Sequence, residues 1–307
     1  MTTALIALDW GSTQLRAYRL GVRGEVLEAR ALPWGVAHLP DTGFEGAFAE
    51  AVDGWPPTPV IACGMVGSRN GWREAPYLDV PASTDALAAS LLRLSTAQGR
   101  QLYIVPGLRD PARPDVMRGE ETQIAGLLAR EPGAVRESDI ILPGTHSKWV
   151  RVRHGKVARL ATAMTGELFH LLYQHSVLGA SLPAPTTDEQ AFRQGVLTAR
   201  ESGAAGVLSR IFLARTLMLD GELAPTSVAD YLSGLLIGEE FRAALAAGWT
   251  KPQATLHIVG DEALVTRYQR AAETFDLHLL KAAGDTAAAG LWHLACLASL
   301  LPSHAMT

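Results

Sequence analysis

The sequence predicts an α/β protein with two domains, on three observations. The chain has 307 residues, which is long for a single hydrophobic core. A buried strand, a loop joining Gly to Ser or Thr, an alternating strand, a turn and a third strand occur from residue 4 and again from residue 139. Residues after 165 show mostly helical spacing. The polar stretch 131–138 separates the repeats and predicts domains over residues 1–137 and 138–307.

The first repeat opens with five apolar residues that end at Asp9 and predict a buried strand. Residues 15–20 alternate as a second strand, so the turn between the two strands lies at the tip of a β-hairpin on the rim of a sheet. Further along the first half, we expect strands at residues 25–30, 59–63 and 101–105, and helices at residues 87–94 and 120–130.

The second repeat predicts strands at residues 139–142, 148–153 and 156–160, with a Gly-Thr loop after the first of them. Helices are expected from residue 165 and over residues 191–204, 207–219 and 228–247. The chain closes with strands at residues 255–259 and 276–280 around a helix at 262–273, and with a last helix that Asp285 or Thr286 can cap.

The tip of the first hairpin carries groups suited to a nucleotide phosphate. Gly11 lets the backbone turn its N–H groups toward an anion, and Ser12 and Thr13 add hydroxyl donors. Asp9, at the end of the adjacent strand, can hold Mg²⁺ or its water. No Walker string occurs in the sequence, so this is a different kind of phosphate loop. An ordinary hairpin with Gly and Ser in its turn explains the same residues, and both interpretations stay open.

Bulk composition excludes several classes of protein. Hydrophobic residues make up 48% and charged residues 19%, which is typical of a folded globular chain. The net charge of -4 gives no electrostatic reason to bind nucleic acid or an anionic membrane. Cys63 and Cys296 lack Cys-x-x-Cys spacing and fit buried thiols in a reducing compartment. Since neither a secretory signal nor a membrane-length apolar run is evident, we expect a cytoplasmic protein with small-molecule ligands, and a homodimer is compatible with the sequence.

Several short blocks follow one another between residue 5 and about residue 290: Asp9-Trp10-Gly11-Ser12-Thr13, Gly64-Met65-Val66-Gly67-Ser68, Gly71-Trp72, Ala75-Pro76-Tyr77, Val116-Met117-Arg118-Gly119-Glu120-Glu121-Thr122-Gln123, Pro143-Gly144-Thr145-His146-Ser147-Lys148-Trp149-Val150, Met164-Thr165-Gly166-Glu167-Leu168, His175-Ser176 and Ser233-Gly234-Leu235-Leu236-Ile237-Gly238. Together and in this order, the blocks resemble the 2-dehydro-3-deoxygalactonokinase family, within the actin-like ATPase and sugar-kinase superfamily.

This resemblance implies two actin-like (ribonuclease H-like) domains with mixed sheets, helices and a nucleotide cleft between them. It also implies an enzyme that uses ATP and Mg²⁺ to phosphorylate the 6-hydroxyl of 2-dehydro-3-deoxy-D-galactonate in galactonate catabolism. Asp9 would organise Mg²⁺ through water. The nucleotide contacts that the resemblance implies are Gly11, Ser12, Thr13, Gly144, Thr145, Gly260 and Gly284, although the last two also fit ordinary turns.

Phosphoryl transfer to a sugar hydroxyl needs positioning, charge neutralisation and a base on the attacking oxygen. In related sugar kinases, the base is an acid that starts a helix just before the second phosphate loop, and Glu120 and Glu121 occupy that place. Adjacent helical residues diverge by about 100°, so the sequence leaves the choice open. We prefer Glu120, with Glu121 solvated or at the helix N-terminus.

The expected contacts with the sugar acid are Met65, Gly67, Ser68, Trp72, Tyr77, Arg118, Thr165 and Glu167. Arg118 could bind the substrate carboxylate, bind the γ-phosphate or pair with a neighbouring glutamate. Trp72 and Tyr77 could form a wall of the sugar site or pack a loop. Glu167 could bind sugar hydroxyls or only start a helix.

Three other functions stay open. The chain could be a kinase for another 2-keto-3-deoxy acid, such as the gluconate epimer, because one hydroxyl decides that specificity. It could be a phosphatase or polyphosphate hydrolase of the same superfamily. A sugar-sensing regulator is disfavoured, since the first strand begins by residue 4 and no DNA-binding segment precedes it.

Overall fold

The structure is a computed structural model that describes residues 2–301. Its strands are β1 (Thr3–Trp10), β2 (Leu15–Gly21), β3 (Val26–Leu32), β4 (Val60–Gly64), β5 (Tyr77–Asp79), β6 (Leu92–Ser95), β7 (Gln101–Ile104), β8 (Gly107–Asp110), β9 (Asp115–Met117), β10 (Ser138–Leu142), β11 (Ser147–Arg153), β12 (Lys156–Ala163), β13 (Thr255–Ile258) and β14 (His278–Lys281). Its α-helices are α1 (Gly43–Ala51), α2 (Thr84–Ala89), α3 (Glu120–Arg130), α4 (Pro132–Val135), α5 (Thr165–His175), α6 (Glu189–Arg200), α7 (Leu213–Leu219), α8 (Val228–Ala246), α9 (Glu262–Glu273) and α10 (Thr286–Leu297).

The first large sheet has six strands in the order β3-β2-β1-β4-β7-β6. The hairpin strands β1 and β2 pair antiparallel, whereas β4 pairs parallel to β1 and β7 pairs parallel to β4. Leu5, Ile6 and Leu8 of the central strand β1 are fully buried, which explains the unbroken apolar run that precedes Asp9. The hairpin predicted around the first Gly-Ser-Thr turn is therefore confirmed.

The second large sheet repeats this order with five strands, β12-β11-β10-β13-β14. In the first sheet, β4 is parallel to β1 and β7 is parallel to β4. In the second sheet, β13 is parallel to β10 and β14 is parallel to β13 in the same way. The repetition predicted from residues 4 and 139 is thus confirmed as a shared strand order, although the two segments have little sequence in common.

The chain forms two compact units. The first unit comprises the chain up to Ser138, the segment Val152–Leu160 and the chain from Ala282 onward. The second unit comprises Asp139–Arg151 and Ala161–Lys281. The tip of the β11–β12 hairpin groups with the first unit, where Val157 and Ala82 exchange backbone hydrogen bonds of 2.9 and 3.0 Å. The division into two domains at residue 137 stays a prediction.

Glycines let pairs of helices pack backbone against backbone in each unit. In the first unit, a Cβ atom added at Gly290 of α10 would lie 1.9 Å from the Thr122 carbonyl oxygen of α3. A Cβ atom at Gly126 of α3 would lie 2.0 Å from the Thr286 carbonyl oxygen. In the second unit, Gly195 of α6 and Gly234 of α8 make the same kind of approach. The first pair brings the N-terminus of α10 to the helix that carries the two candidate bases.

Two features of the first unit depart from the sequence expectations. Residues 87–94 were expected to be helical, but α2 ends at Ala89 and Leu92–Ser95 forms strand β6, because these residues pair antiparallel with β7. The small sheet β5-β8-β9 was not predicted, since its strands have three or four residues and show no clear alternation.

Within residues 2–301, none of the helices combines the length and the apolar character that crossing a membrane requires.

Candidate active site

Asp9 is the last residue but one of β1, between the neighbouring strands β2 and β4. It pairs with Arg16 on β2 and with Cys63 on β4, and its side chain is 22% exposed. The Arg16 guanidinium is 4.0 Å away, and the Cys63 thiol approaches Oδ1 at 3.8 Å. Burial raises the pKa of Asp9, and the Arg16 charge opposes that rise only in part.

The carboxylate of Asp9 fits a magnesium ion held through water. Its contacts with Arg16 and Cys63 are long, so most of its acceptor capacity is unused. No group of three or more His, Cys, Asp or Glu side chains with metal-binding geometry occurs among the described residues. Magnesium usually keeps several waters and takes one or two protein carboxylates together with phosphate oxygens, which agrees with this sparse donor set.

The Gly11–Thr13 turn is exposed and is held by a second loop. Gly11 donates to the carbonyl of Gln14 at 2.9 Å, which closes the turn. Val36 and Ala37 donate to the carbonyls of Gly11 and Ser12 at 3.0 and 2.9 Å. The exposed hydroxyls of Ser12 and Thr13 are free to meet a ligand in solvent, while the backbone of the turn is fixed. The predicted phosphate turn therefore combines a fixed backbone with exposed hydroxyl groups, as an anion site requires.

The ends of β1 and β4 converge with the start of α3. Gly64, in the left-handed region at φ +90°, ends β4, and a Cβ atom at Gly119 would lie 3.3 Å from its Cα. Buried Cys63 lies between the charged groups: Asp9 and Glu121 both raise the pKa of its thiol, which burial already places well above the ordinary value. The thiol therefore stays protonated and serves as a buried neighbour of both carboxyl groups, in line with the packing role expected for it.

Glu120 and Glu121 open α3 but occupy different surroundings. Glu120 is half-buried, and its Oε2 accepts a hydrogen bond of 3.0 Å from the Arg118 backbone N–H. Glu121 is 1% exposed and accepts from Gly119 N–H at 2.7 Å and from the Thr122 hydroxyl at 3.1 Å. Burial, followed by the nearby Glu120 charge, raises the pKa of Glu121 to about 8.

Asp285 is a further acidic residue next to Asp9 that sequence reasoning named only as a helix cap. Its carboxylate caps α10 by accepting from Ala288 N–H at 3.0 Å, as expected. It also raises the pKa of Asp9 and hydrogen-bonds Tyr18, whose own pKa is raised by burial and by this contact. The two aspartates lie far apart in the sequence, so only the docking of α10 on α3 reveals that they are neighbours.

The segment after β4 places the expected sugar contacts of the first unit in two settings. Trp72 packs among aromatic side chains: its ring stacks on Phe44 with centroids 5.9 Å apart and meets the Trp10 ring edge-on at 6.0 Å. Tyr77 lies under the Arg118 guanidinium, with Cζ 4.2 Å from the ring centroid. Met65 and Gly67 belong to the short 3₁₀ turn Met65–Gly67, which directly follows β4, and Ser68 is its C-cap.

In the second unit, the loop between β10 and β11 contacts the start of α5. Thr145 is exposed, and its carbonyl accepts from Glu167 N–H at 2.9 Å. A Cβ atom at Gly166 would lie 2.5 Å from the Gly144 carbonyl oxygen, so the two backbones touch. The Glu167 carboxylate pairs with the His146 ring. The structure therefore brings Gly144, Thr145, Thr165 and Glu167 together within this unit.

Gly260 and Gly284, the other two glycines expected to contact the nucleotide, fall in different units. Gly260 follows β13 in the second unit and lies against Pro143, since a Cβ atom added at Gly260 would be 3.5 Å from the Pro143 Cδ. Gly284 belongs to the first unit and adopts φ +64° beside Arg130, which donates to the Ala283 carbonyl at 2.6 Å.

Glu240 on α8, which the sequence analysis missed, holds the residues that flank the Gly144–Thr145 loop. It is 5% exposed, and its carboxylate accepts hydrogen bonds from the side chains of Ser147, Trp149, Thr165 and Tyr268. Burial raises the pKa of Glu240, whereas these four donors lower it. Because the donors come from β11, α5 and α9, one carboxylate fixes the start of the strand and the start of the helix that flank the Gly144–Thr145 loop.

The two large sheets share one strand order, and each opens with a hairpin whose tip joins Gly to Ser or Thr; this arrangement is the actin-like α/β fold. Xylulose kinase from Lactobacillus acidophilus has this fold: the TM-score is 0.53 at 9% identity, covering 99% of this chain and 91% of that chain. The predicted fold class is thereby confirmed.

Within this class, the 2-keto-3-deoxy-galactonokinase family description matches residues 9–294, and the chain belongs to that family. The 2-dehydro-3-deoxygalactonokinase of Escherichia coli K12 is 38% identical over 291 residues, which cover 94% of this chain and 95% of the relative. A crystal structure of a 2-dehydro-3-deoxygalactonokinase protein from Sinorhizobium meliloti superposes with a TM-score of 0.82 at 34% identity, covering 95% of this chain and 98% of that chain. The family resemblance is confirmed.

Proposed function

We propose that the protein transfers the γ-phosphate of ATP to the 6-hydroxyl of 2-dehydro-3-deoxy-D-galactonate, as a step of galactonate catabolism. Family membership supports this activity and substrate class. The observation that carries the proposal is the approach of the start of α3 to the end of β4, where a Cβ atom at Gly119, next to Glu120, would lie 3.3 Å from the Gly64 Cα. Gly64 pairs with Trp10, which lies between Asp9 and the Gly11–Thr13 turn. In the proposed reaction, this edge would supply a cation-binding carboxylate, an anion-binding turn and a base, the three elements that phosphoryl transfer to an alcohol requires.

The nucleotide is assigned to the two Gly-containing hairpin tips. In the first unit, the hydroxyls and backbone N–H groups of Ser12 and Thr13 would hold phosphate oxygens beside Gly11, whose own N–H donates to the Gln14 carbonyl. Asp9 would hold Mg²⁺ through water. Bound Mg²⁺ would neutralise the charge on the β- and γ-phosphates. Gly144, Thr145 and Gly260 of the second unit and Gly284 of the first remain proposed nucleotide contacts.

Glu120 is the proposed base, because its carboxylate is partly exposed whereas that of Glu121 is enclosed. It would accept the proton of the attacking hydroxyl as the oxygen bonds to phosphorus. Glu121 instead holds the start of α3 through the Gly119 N–H and Thr122 hydroxyl contacts. Met65, Gly67, Trp72 and Tyr77 of the first unit, with Thr165 and Glu167 of the second, remain the proposed sugar contacts beside the residues argued below.

The test is ADP release by the purified protein with Mg-ATP, measured with the galactonate form, with its gluconate epimer and with no acceptor. Turnover with the galactonate form alone is expected. Equal turnover with both epimers would replace the narrow specificity by a broader 2-keto-3-deoxy-acid kinase. ADP release without any acceptor would show a hydrolase, and no ADP release under any condition would contradict the proposed activity.

A further inference from the structure

Arg118 is a buried cation with most of its hydrogen-bond donors unused. The residue is 9% exposed, and its Nη2 donates to the Ala75 carbonyl at 2.8 Å. Its Nε and Nη1 are enclosed, and neither has a hydrogen-bond partner in the part of the chain that the structure describes. Unpaired donors on a buried charge are costly, so a structure that keeps them is built for a partner that arrives from outside.

Ser68 supplies a second, independent observation beside the first. It is 8% exposed, and its hydroxyl also has no partner among the described residues. Its neighbour Gly67 lies against the guanidinium: a Cβ atom there would be 3.0 Å from Arg118 Nη1 and 3.2 Å from the Ala75 Cβ. A glycine at this position lets the backbone of the turn lie directly on the arginine. Two orphaned donors, one cationic and one a hydroxyl, therefore flank a single turn.

The surrounding residues fix the guanidinium without giving its Nε or Nη1 a hydrogen bond, although the Arg118 charge acts on neighbouring Glu121 and lowers the pKa of that carboxyl group. The Tyr77 ring lies 4.2 Å from the Arg118 Cζ and is 36% exposed, so it forms the outer wall. A cation stacked on an aromatic face keeps its in-plane N–H groups available for an anion. Because Nε and Nη1 are closed to solvent here, binding of an anion to them requires Tyr77 or the Met65–Ser68 turn to move aside.

We propose that Arg118 and Ser68, here called the carboxylate subsite, bind the C1 carboxylate of the sugar-acid substrate; this assignment rests on the proposed kinase function. A planar guanidinium fork matches the two oxygens of a carboxylate, and the Ser68 hydroxyl adds a further donor. The subsite selects acids over uncharged sugars of the same shape, because a neutral ligand leaves the Arg118 donors unpaired.

Geometry favours the carboxylate over the γ-phosphate. The Glu120 Oε2 accepts from the Arg118 backbone N–H at 3.0 Å, so the reacting hydroxyl lies at the backbone end of this arginine. Its guanidinium is at the other end of a side chain that spans at most about 7 Å, and the C1 carboxylate and O6 of a six-carbon acid are also at most about 7 Å apart. The γ-phosphate must lie within about 3.5 Å of O6, at the Glu120 end.

The test compares two acceptors: 2-dehydro-3-deoxy-D-galactonate and its methyl ester, which loses the charge and keeps the 6-hydroxyl. Arg118→Gln is expected to raise the KM for the acid about 100-fold and to change kcat/KM for the ester less than about threefold, because only the charged ligand loses its partner. Ser68→Ala is expected to raise the KM for the acid about tenfold, and Arg118→Lys is expected to restore part of the loss. The matched control is Arg109→Gln, an exposed arginine of β8 that pairs with Asp79 and is expected to behave as the wild type.

Three results would overturn the assignment. The first is an equal fall in kcat/KM for the acid and for the ester in the folded Arg118→Gln variant, and the second is a raised KM for ATP with an unchanged KM for the acid. The third is a Ser68→Ala variant whose kcat/KM changes by the same factor for both acceptors. Thermal melting identifies a variant that fails to fold, and Ser68→Ala and Arg118→Lys then decide the outcome. A wild-type protein that turns over neither acceptor would contradict the proposed function itself, and with it the identity of the ligand.

Discussion

Replacing Glu121 by Gln should change how the stability of the protein depends on pH. The folded-state pKa of Glu121 is about 8 against an ordinary value of 4.5, because the carboxyl group is buried. A raised pKa means that the folded state retains a proton that the unfolded state releases. The contribution of this group to stability is fully present below pH 4.5 and is lost as the pH rises toward about 8. The slope is about 1.4 kcal/mol per pH unit within that window.

From pH 5 to pH 8, the wild type should lose about 3–4 kcal/mol of stability through Glu121 alone. A glutamine is never ionised, and its side-chain carbonyl can still accept from the Gly119 N–H. The free energy of unfolding of Glu121→Gln, measured relative to wild type by urea denaturation, should therefore increase by about 3–4 kcal/mol between these pH values.

The matched control is Glu262→Gln at the start of α9, whose side chain is 73% exposed. An exposed glutamate contributes little to stability, so its difference from wild type should stay flat within about 1 kcal/mol. Parallel pH profiles for Glu121→Gln and the wild type would refute the reasoning, because they would show that Glu121 ionises in the folded state as it does in the unfolded chain.

Three further predictions concern the proposed site and its support. Asp9→Asn should lower kcat at least about 100-fold while the melting temperature holds, since it removes the cation-binding charge but not the fold; near-normal turnover would remove Asp9 from the site. Glu120→Gln should lower kcat about 100-fold or more and Glu121→Gln less than about tenfold, as measured by ADP release, and the reverse ranking would reassign the base. Gly290→Ala places a Cβ atom 1.9 Å from a backbone oxygen of α3 and should cost about 1–3 kcal/mol of stability, whereas Gly133→Ala, with nothing within 4 Å, should cost little; equal melting temperatures for the two alanine variants would argue against the close packing.

The sequence predicted the elements of the first site better than their mutual arrangement. The strand pattern around Asp9 placed the carboxylate and the Gly11–Thr13 turn at a sheet rim, because buried runs and alternation report directly on strands. The choice between Glu120 and Glu121 needed the tertiary structure, since adjacent helical residues differ by about 100° in direction. Burial then separates a half-buried carboxylate from an enclosed one.

Other residues carried no local signal for their role. Asp285 lies close enough to Asp9 to raise the pKa of that carboxyl group, and Glu240 accepts hydrogen bonds from side chains of three elements. Both arrangements arise from the docking of helices between distant segments of the chain. Residues 92–94 were expected to end the helix predicted over 87–94, whereas pairing with β7 makes them part of strand β6. The orphaned donors of Arg118 and Ser68 likewise require coordinates, because a sequence shows donors but not the absence of their partners.

The most direct test of the central claim is the ³¹P NMR spectrum of a reaction containing the protein, Mg-ATP and 2-dehydro-3-deoxy-D-galactonate. Transfer to the 6-hydroxyl predicts a new phosphomonoester signal split by the two C6 protons, growing in step with ADP. Inorganic phosphate in its place, or a phosphomonoester coupled to a single proton of a secondary carbon, would contradict the account.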